Sequence, residues 1–172
     1  MGSYAMKLIE ITESHAATIA QQWYNNVRMN PRTPAYHKMP EEQAKNQALY
    51  FYSNFGKLFV SDNPFEEANV LFSKYAEKLY RERIPLPEAI YAVILMRRHM
   101  WLYASSQAVF TSAVDHHQAA ESQSRTILMF DYAAYTLVQK YDDLLRKENQ
   151  SSLAVHFHAC LYKCLQDEIG IT

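Results

Sequence analysis

The sequence predicts an all-α protein that folds as a single-domain bundle of about six helices. Its 172 residues are an ordinary size for one domain, and 49% of them are apolar, enough for one core and too many for a disordered chain. Only 3 Gly and 6 Pro are present, too few turn residues for a many-stranded sandwich. These breakers divide the chain into segments of helical length. We therefore expect one helical domain over residues 1–172.

Three helices are predicted in the N-terminal half. The first, over about 14–29, has Ser14 as its N-cap and an apolar stripe at helical spacing. The second, over 40–61, follows Pro40, because proline suits the first helical position. The third, over 63–84, opens on an Asn-Pro pair, in which asparagine caps the helix and proline fills its first position.

Three further helices are predicted in the C-terminal half, over about 87–112, 116–147 and 152–168. Segment 89–96 is apolar on every side, as expected for a central helix surrounded by others. The long helix 116–147 should bury one stripe against the bundle. That stripe reads Ala120, Ser124, Ile127, Asp131, Ala134, Val138, Tyr141 and Leu145.

Two charged positions interrupt these apolar stripes. Asp131 falls on the stripe of the long helix, and Arg97 shares a stripe with apolar residues of the preceding helix. Burying either charge alone costs on the order of several kcal/mol, so we expect Arg97 or Arg98 to pair with Asp131 across two packed helices. The alternative is that long arginine side chains reach solvent and the charges are simply exposed.

The 13 tyrosines include many on predicted core stripes, where each hydroxyl needs a polar partner. They could line an apolar pocket with a few polar contacts, which is typical of a small-ligand site. The tyrosines concerned are Tyr50, Tyr52, Tyr75, Tyr80, Tyr91, Tyr103, Tyr132 and Tyr135. The alternative is ordinary core packing and dimer contacts, because aromatic residues at helical spacing are common core residues.

A haem site has one candidate ligand. His99 lies on the central helix close to Trp101 and could serve as an axial ligand within a globin-like bundle. The alternative is a histidine that is hydrogen-bonded in the core or exposed. No bound cofactor is therefore required by the sequence, although haem or another apolar ligand is compatible with it.

A metal site has one weak candidate in the last helix. His156, Cys160 and Cys164 follow one another at helical spacing on one face. Three such ligands span about 12 Å along one helix, too far for a single ion to reach the outer pair. We expect the two cysteines to be reduced thiols packed as small apolar residues, since their spacing is poor for a mutual disulfide. No catalytic motif of the common hydrolases, phosphate-binding loops or metalloproteases is present, so we do not expect an enzyme.

Charge and hydropathy limit the partners. The formal net charge is −1, which offers no global field to attract nucleic acid. The longest apolar run, 89–96, is well short of the ~20 residues that span a bilayer. The segment 1–10 lacks the apolar region of a signal peptide. We therefore expect a cytoplasmic protein with no nucleic-acid or membrane partner.

Three segments between residues 19 and 145 carry a resemblance to a known family. They comprise Trp23, Val27, Pro31, Thr33, Pro34 and Tyr36; Tyr80 to Ala89 with Leu95 to Arg98 and Trp101; and Phe130, Asp131, Tyr132 and Tyr141. In these segments the chain resembles the helical N-terminal input domain of RsbRD-type stressosome co-antagonists, which is also found in bacterial sensor histidine kinases. Arg83 is a departure, because similar sequences often carry glycine there, so the loop before Pro85 is expected to differ in shape.

The resemblance implies a regulatory input module without catalytic residues. We accordingly expect a sensory domain of bacterial signal transduction that acts through contacts with a regulatory protein partner. The excess of aromatic residues also suggests a homodimer, since interfaces are enriched in them. The alternatives are a carrier of an apolar ligand or haem, and a metal-dependent enzyme.

Overall fold

The computed structural model describes the backbone of residues 3–107 and 113–169, and the side chains of residues 5–107 and 120–150. Within these ranges the chain forms seven α-helices, one 3₁₀ helix and no strand, which confirms the predicted all-α bundle. The helices are α1 (Ser3–Ser14), α2 (Ala16–Val27), the 3₁₀ helix (Pro34–Lys38), α3 (Glu41–Ser53), α4 (Phe55–Val60), α5 (Pro64–Arg81), α6 (Leu86–Ser106) and α7 (Ala113–Ile169).

Helix α6 lies at the centre of the packing, against α2 on one side and α7 on another. Its backbone is tied to two neighbours by side chains: Tyr52 of α3 donates to the Met96 carbonyl at 2.9 Å, and Trp23 of α2 bonds one turn earlier. However, Ile94 is 42% exposed, so the expectation that segment 89–96 is surrounded on every side is wrong. The helix is a hub with one open face.

The N-terminal half contains two helices more than expected. Residues 3–14 form α1, which buries Leu8 completely. Within this helix the Thr12 hydroxyl donates to the Leu8 carbonyl at 2.7 Å. The predicted helix 40–61 is divided into α3 and α4 at Asn54. The Asn54 amide donates to the Tyr50 carbonyl at 2.8 Å, which competes with continuation of the helix.

The C-terminal half contains one helix fewer than expected. The predicted helices 116–147 and 152–168 are parts of α7, a single helix of 57 residues. The segment between them contains no Pro or Gly, so nothing in it forces a helix to end. At 1.5 Å per residue this helix is about 85 Å long, far longer than the other helices of the bundle.

The buried face of α7 differs from the predicted stripe. Asp131, Ile127, Val138 and Leu145 are all exposed. Tyr141 is buried as predicted, and the other residues buried on this face are Ser122, Thr126, Met129, Phe130, Ala133, Thr136 and Leu137. This face includes small and threonine residues and packs against α5 and α6. A stripe defined by apolar residues does not identify a buried face that contains polar side chains. Within the helix the Thr126 hydroxyl donates to the Ser122 carbonyl at 2.8 Å, so this buried hydroxyl has a hydrogen-bond partner.

Candidate functional site

A pocket opens between α3 and α5, with α6 behind it. Its volume is about 310 Å³, at the lower end of the range for small-molecule sites. We call it the α3–α5 pocket. It is lined by Asn46, Gln47, Tyr50, Phe51, Leu71, Phe72, Lys74, Tyr75, Lys78 and Met96.

The inner wall of the pocket is apolar and aromatic. Phe51, Phe72 and Met96 are each at least 97% buried. The ring centroids of Phe51 and Phe72 are 5.7 Å apart, and those of Phe72 and Tyr75 are 6.2 Å apart, which are ordinary distances for stabilising aromatic pairs. Phe51 also contacts Phe130 of α7, with 4.9 Å between centroids. The wall is therefore part of the core and is held in place by it.

Two of the lining residues, Tyr75 and Gln47, bring polar groups to this wall. The hydroxyls of Tyr75 and Tyr36 lie 3.4 Å apart, and burial raises the pKa of both phenols, so both stay neutral. Gln47 is 94% buried and donates through Nε2 to Glu82 Oε2 at 3.4 Å. Its Oε1 has no hydrogen-bond partner among the described residues. A buried acceptor without a partner favours a ligand or water that can donate to it.

The outer edge of the pocket is positively charged. Lys74 is exposed and Lys78 is half-buried, and the two lie one helical turn apart on α5. Neither ammonium forms an ion pair with a side chain in the described ranges. Among the residues whose side chains are described, no Asp or Glu lines the pocket. The edge therefore presents two positive charges with no acidic lining residue between them.

The structure brings only part of the predicted tyrosine set to this pocket. Tyr50 and Tyr75 line it, whereas Tyr52 is fully buried beneath it. The other tyrosines pack in separate places: Tyr80 against Tyr141, Tyr91 beside Arg32, Tyr103 against His15, and Tyr132 and Tyr135 against Phe65. Sequence reasoning missed Gln47, Lys74 and Lys78. The two lysines could have been found, because their helical spacing places them beside the apolar stripe of α5.

The candidate haem ligand lies elsewhere. His99 and Trp101 are half-buried on α6, and neither lines the α3–α5 pocket. His99 Nε2 and Trp101 Nε1 have no hydrogen-bond partner among the described residues. Burial, assisted by the neighbouring Arg98 charge, lowers the pKa of His99 below its ordinary 6.5. A neutral imidazole is therefore favoured in the folded state.

The predicted ion pair joins α6 to α7, but at the surface. Arg97 Nη1 lies 3.8 Å from Asp131 Oδ1, and the Asp131 side chain is 65% exposed. Arg98 is also exposed and makes no ion pair with a described side chain. An exposed pair at this distance contributes at most about 1 kcal/mol. Asp131 carries no burial penalty because it lies off the buried face of α7.

The candidate metal ligands His156, Cys160 and Cys164 lie outside the residues whose side chains the structure describes. Among the described side chains, no group of three or more His, Cys, Asp or Glu residues is placed to hold a metal ion. In the same ranges, none of the helices combines the length and apolarity needed to cross a membrane.

Comparison with protein-family models, with curated proteins and with solved structures finds no match to this chain. The resemblance to the RsbRD-type input domain therefore stays a prediction from the residues that carry it.

Proposed function

We propose that this protein is a non-catalytic regulatory domain that binds a small apolar molecule in the α3–α5 pocket and signals to a partner protein. The pocket carries the proposal: a cavity of about 310 Å³ with an aromatic wall and a few converging polar groups. This combination is the usual form of a small-molecule site. The resemblance to RsbRD-type input domains supports a role in bacterial signal transduction.

The position of Met96 supports a route from the pocket to the surface. Met96 lines the pocket, and the next residue, Arg97, pairs with Asp131 of α7. The Tyr52 hydrogen bond to the Met96 carbonyl ties α3 to the same turn of α6. A ligand that displaces the Met96 side chain would therefore bias the position of α6 against α7, because packed helices shift between discrete arrangements.

The outer faces of α6 and α7 support a protein contact. Several large apolar side chains are 39% to 53% exposed there: Ile94, Leu102, Ile127, Leu128, Tyr135, Val138 and Leu145. Exposed apolar side chains of this kind are common at interaction surfaces. We propose a second copy of the chain as the occupant, in keeping with the homodimer expected from the aromatic content.

Sedimentation velocity tests the homodimer. The wild type should sediment as a dimer at micromolar concentration, and Tyr135→Glu should shift it toward a monomer. Met29→Glu is the matched control, because Met29 is 73% exposed but lies outside α6 and α7. A wild type that remains monomeric at every concentration would eliminate the dimer.

Native mass spectrometry of the untreated protein tests the ligand. We expect an excess mass that disappears on denaturation. It should be absent from Leu71→Trp, which fills the pocket, and retained by Leu102→Trp, which makes the same change at an exposed position outside the pocket. An excess mass retained by both variants would place the ligand elsewhere. A bare wild type that also fails to bind small apolar probes would overturn the ligand-sensing proposal.

A further inference from the structure

The charge at the edge of the α3–α5 pocket specifies what kind of molecule it binds. Resting on the proposed ligand-sensing function, we propose that the ligand is a small organic acid: an apolar, flat body seated on the aromatic wall, with a carboxylate held by Lys74 and Lys78 and a hydrogen-bond donor directed at Gln47 Oε1. Three features of the pocket favour such a ligand.

The first feature is the pair of lysines. Lys74 and Lys78 make no ion pair with a described side chain, although α5 also carries Glu77, which lies between them in sequence. Glu77 is engaged elsewhere: its Oε1 lies 2.6 Å from Lys140 Nζ of α7. The lysines are thus left to bind an external anion. Charge-assisted hydrogen bonds from lysine to a carboxylate are stronger than neutral ones, whereas a ligand ammonium here would be repelled.

The second feature is the wall. The half-buried Leu71 offers apolar surface, Phe72 and Met96 line the pocket although each is at least 98% buried, and Tyr50, which is 62% exposed, stands at the entrance. Aromatic rings favour offset or edge-to-face contact with another ring. A flat aromatic ligand would therefore bind here with a more favourable free energy than its buried apolar area alone provides.

The third feature is the orphan acceptor. Gln47 Nε2 already donates to Glu82 Oε2. The Gln47 side chain is 94% buried, and its Oε1 is an acceptor without a hydrogen-bond partner among the described residues. Leaving such an acceptor unsatisfied costs about 1–3 kcal/mol in general. A hydroxyl or amine on the inner end of the ligand would satisfy it, while the carboxylate stays at the outer edge.

Three probes of the same shape test the charge preference with the full chain: 2-naphthoate, 2-naphthylmethanol and 2-naphthylmethylammonium, measured by isothermal titration calorimetry. We expect the carboxylate to bind about tenfold more tightly than the alcohol, and the ammonium to bind most weakly. The advantage of the carboxylate should shrink in 1 M salt, since screening weakens exposed charges.

Variants of the pocket test which side chains cause the preference for the carboxylate. Lys74→Gln with Lys78→Gln should bring the carboxylate to the affinity of the alcohol, whereas Lys7→Gln, on the exposed surface of α1, should leave the tenfold difference intact. A fourth probe, 6-hydroxy-2-naphthoate, adds a donor at the far end. It should bind more tightly than 2-naphthoate to the wild type, by about fivefold, and should lose that gain in Gln47→Met.

The outcomes separate this inference from the function on which it rests. If the alcohol and the ammonium bind as well as the carboxylate, the organic-acid inference is overturned while the apolar pocket stands. If no probe binds, and Leu71→Trp changes nothing in the native mass, the ligand-sensing function itself is wrong. If the lysine variants keep the carboxylate preference, the anion is held elsewhere and the inference is equally overturned.

Discussion

Trp23 Nε1 donates a hydrogen bond to the carbonyl oxygen of Ala92 at 2.9 Å, across the contact between α2 and α6. Both residues are fully buried. The acceptor is a carbonyl inside a helix, so it receives this bond in addition to its place in the helical ladder. The indole thereby fixes α2 against the same helix whose next turn holds Met96 at the pocket.

Trp23→Phe removes this bond and leaves a small cavity in the core. We expect a loss of about 2–4 kcal/mol in the free energy of unfolding, measured by urea denaturation. Trp101→Phe is the matched control. Its Nε1 is buried without a hydrogen-bond partner among the described residues, so the same substitution removes an unsatisfied donor and should change stability by less than about 1 kcal/mol. Equal losses in the two variants would contradict this account.

Gly56→Ala should destabilise the protein although alanine is the better helix former. A Cβ at this position would stand 2.7 Å from both Ile9 Cγ2 and Glu13 Oε1 of α1. The Gly56 N–H also donates to Glu13 Oε1 at 2.8 Å, so the Ile9 and Glu13 side chains would have to shift and this hydrogen bond would be disturbed. We expect a loss of about 1–3 kcal/mol by urea denaturation. Lys57→Ala, whose side chain is 71% exposed, should change stability by less than about 1 kcal/mol.

Arg83→Gly should stabilise the protein. Arg83 has φ of 59°, and the Ile84 and Arg83 N–H groups donate to the Leu79 and Tyr80 carbonyls, each at 3.0 Å. This pattern is the Schellman motif that ends α5, and it places arginine where glycine is preferred. We expect a gain of about 1 kcal/mol, seen as a higher Tm. Arg81→Gly, inside the helix, should lower the Tm instead.

Stability should fall in mild acid because of His99. Its pKa is lowered in the folded state by burial and by Arg98, so the unfolded chain binds the proton more tightly than the folded chain. The free energy of unfolding should therefore decrease as the pH drops through 6.5 toward the lower folded pKa. In His99→Gln this part of the decrease should vanish, whereas His37→Gln, on the exposed 3₁₀ helix, should retain it. A profile unchanged by His99→Gln would exclude the histidine as its source.

The loop between α5 and α6 illustrates how a sequence pattern is overridden. Arginine at position 83 suggested a loop shaped differently from one with glycine, yet the backbone takes the left-handed conformation that glycine favours. The burial of Ile84 and Leu79 in the core and the two capping hydrogen bonds hold it there. The tertiary contacts that this turn allows therefore outweigh the preference of arginine for a negative φ.

The α3–α5 pocket could be anticipated only in part. The aromatic residues and the general idea of a tyrosine-lined cavity follow from the composition, but most of the tyrosines pack elsewhere. Gln47 of α3 and the two lysines of α5 meet only because α3 and α5 flank the same gap in the folded chain. Residues on different helices meet according to the angles and rotations of those helices, which no single stripe specifies.

The sequence by itself determined that this chain is helical, and that several of its helices begin or end next to Pro, because proline acts on the local backbone. The tertiary structure decided the rest: that 57 residues continue as one helix, that α7 buries a face rich in small and threonine residues, and that Asp131 is exposed. The reason is physical. A breaker acts at its own position, whereas the buried face of a helix depends on which neighbours approach it and how closely their side chains allow them to pack.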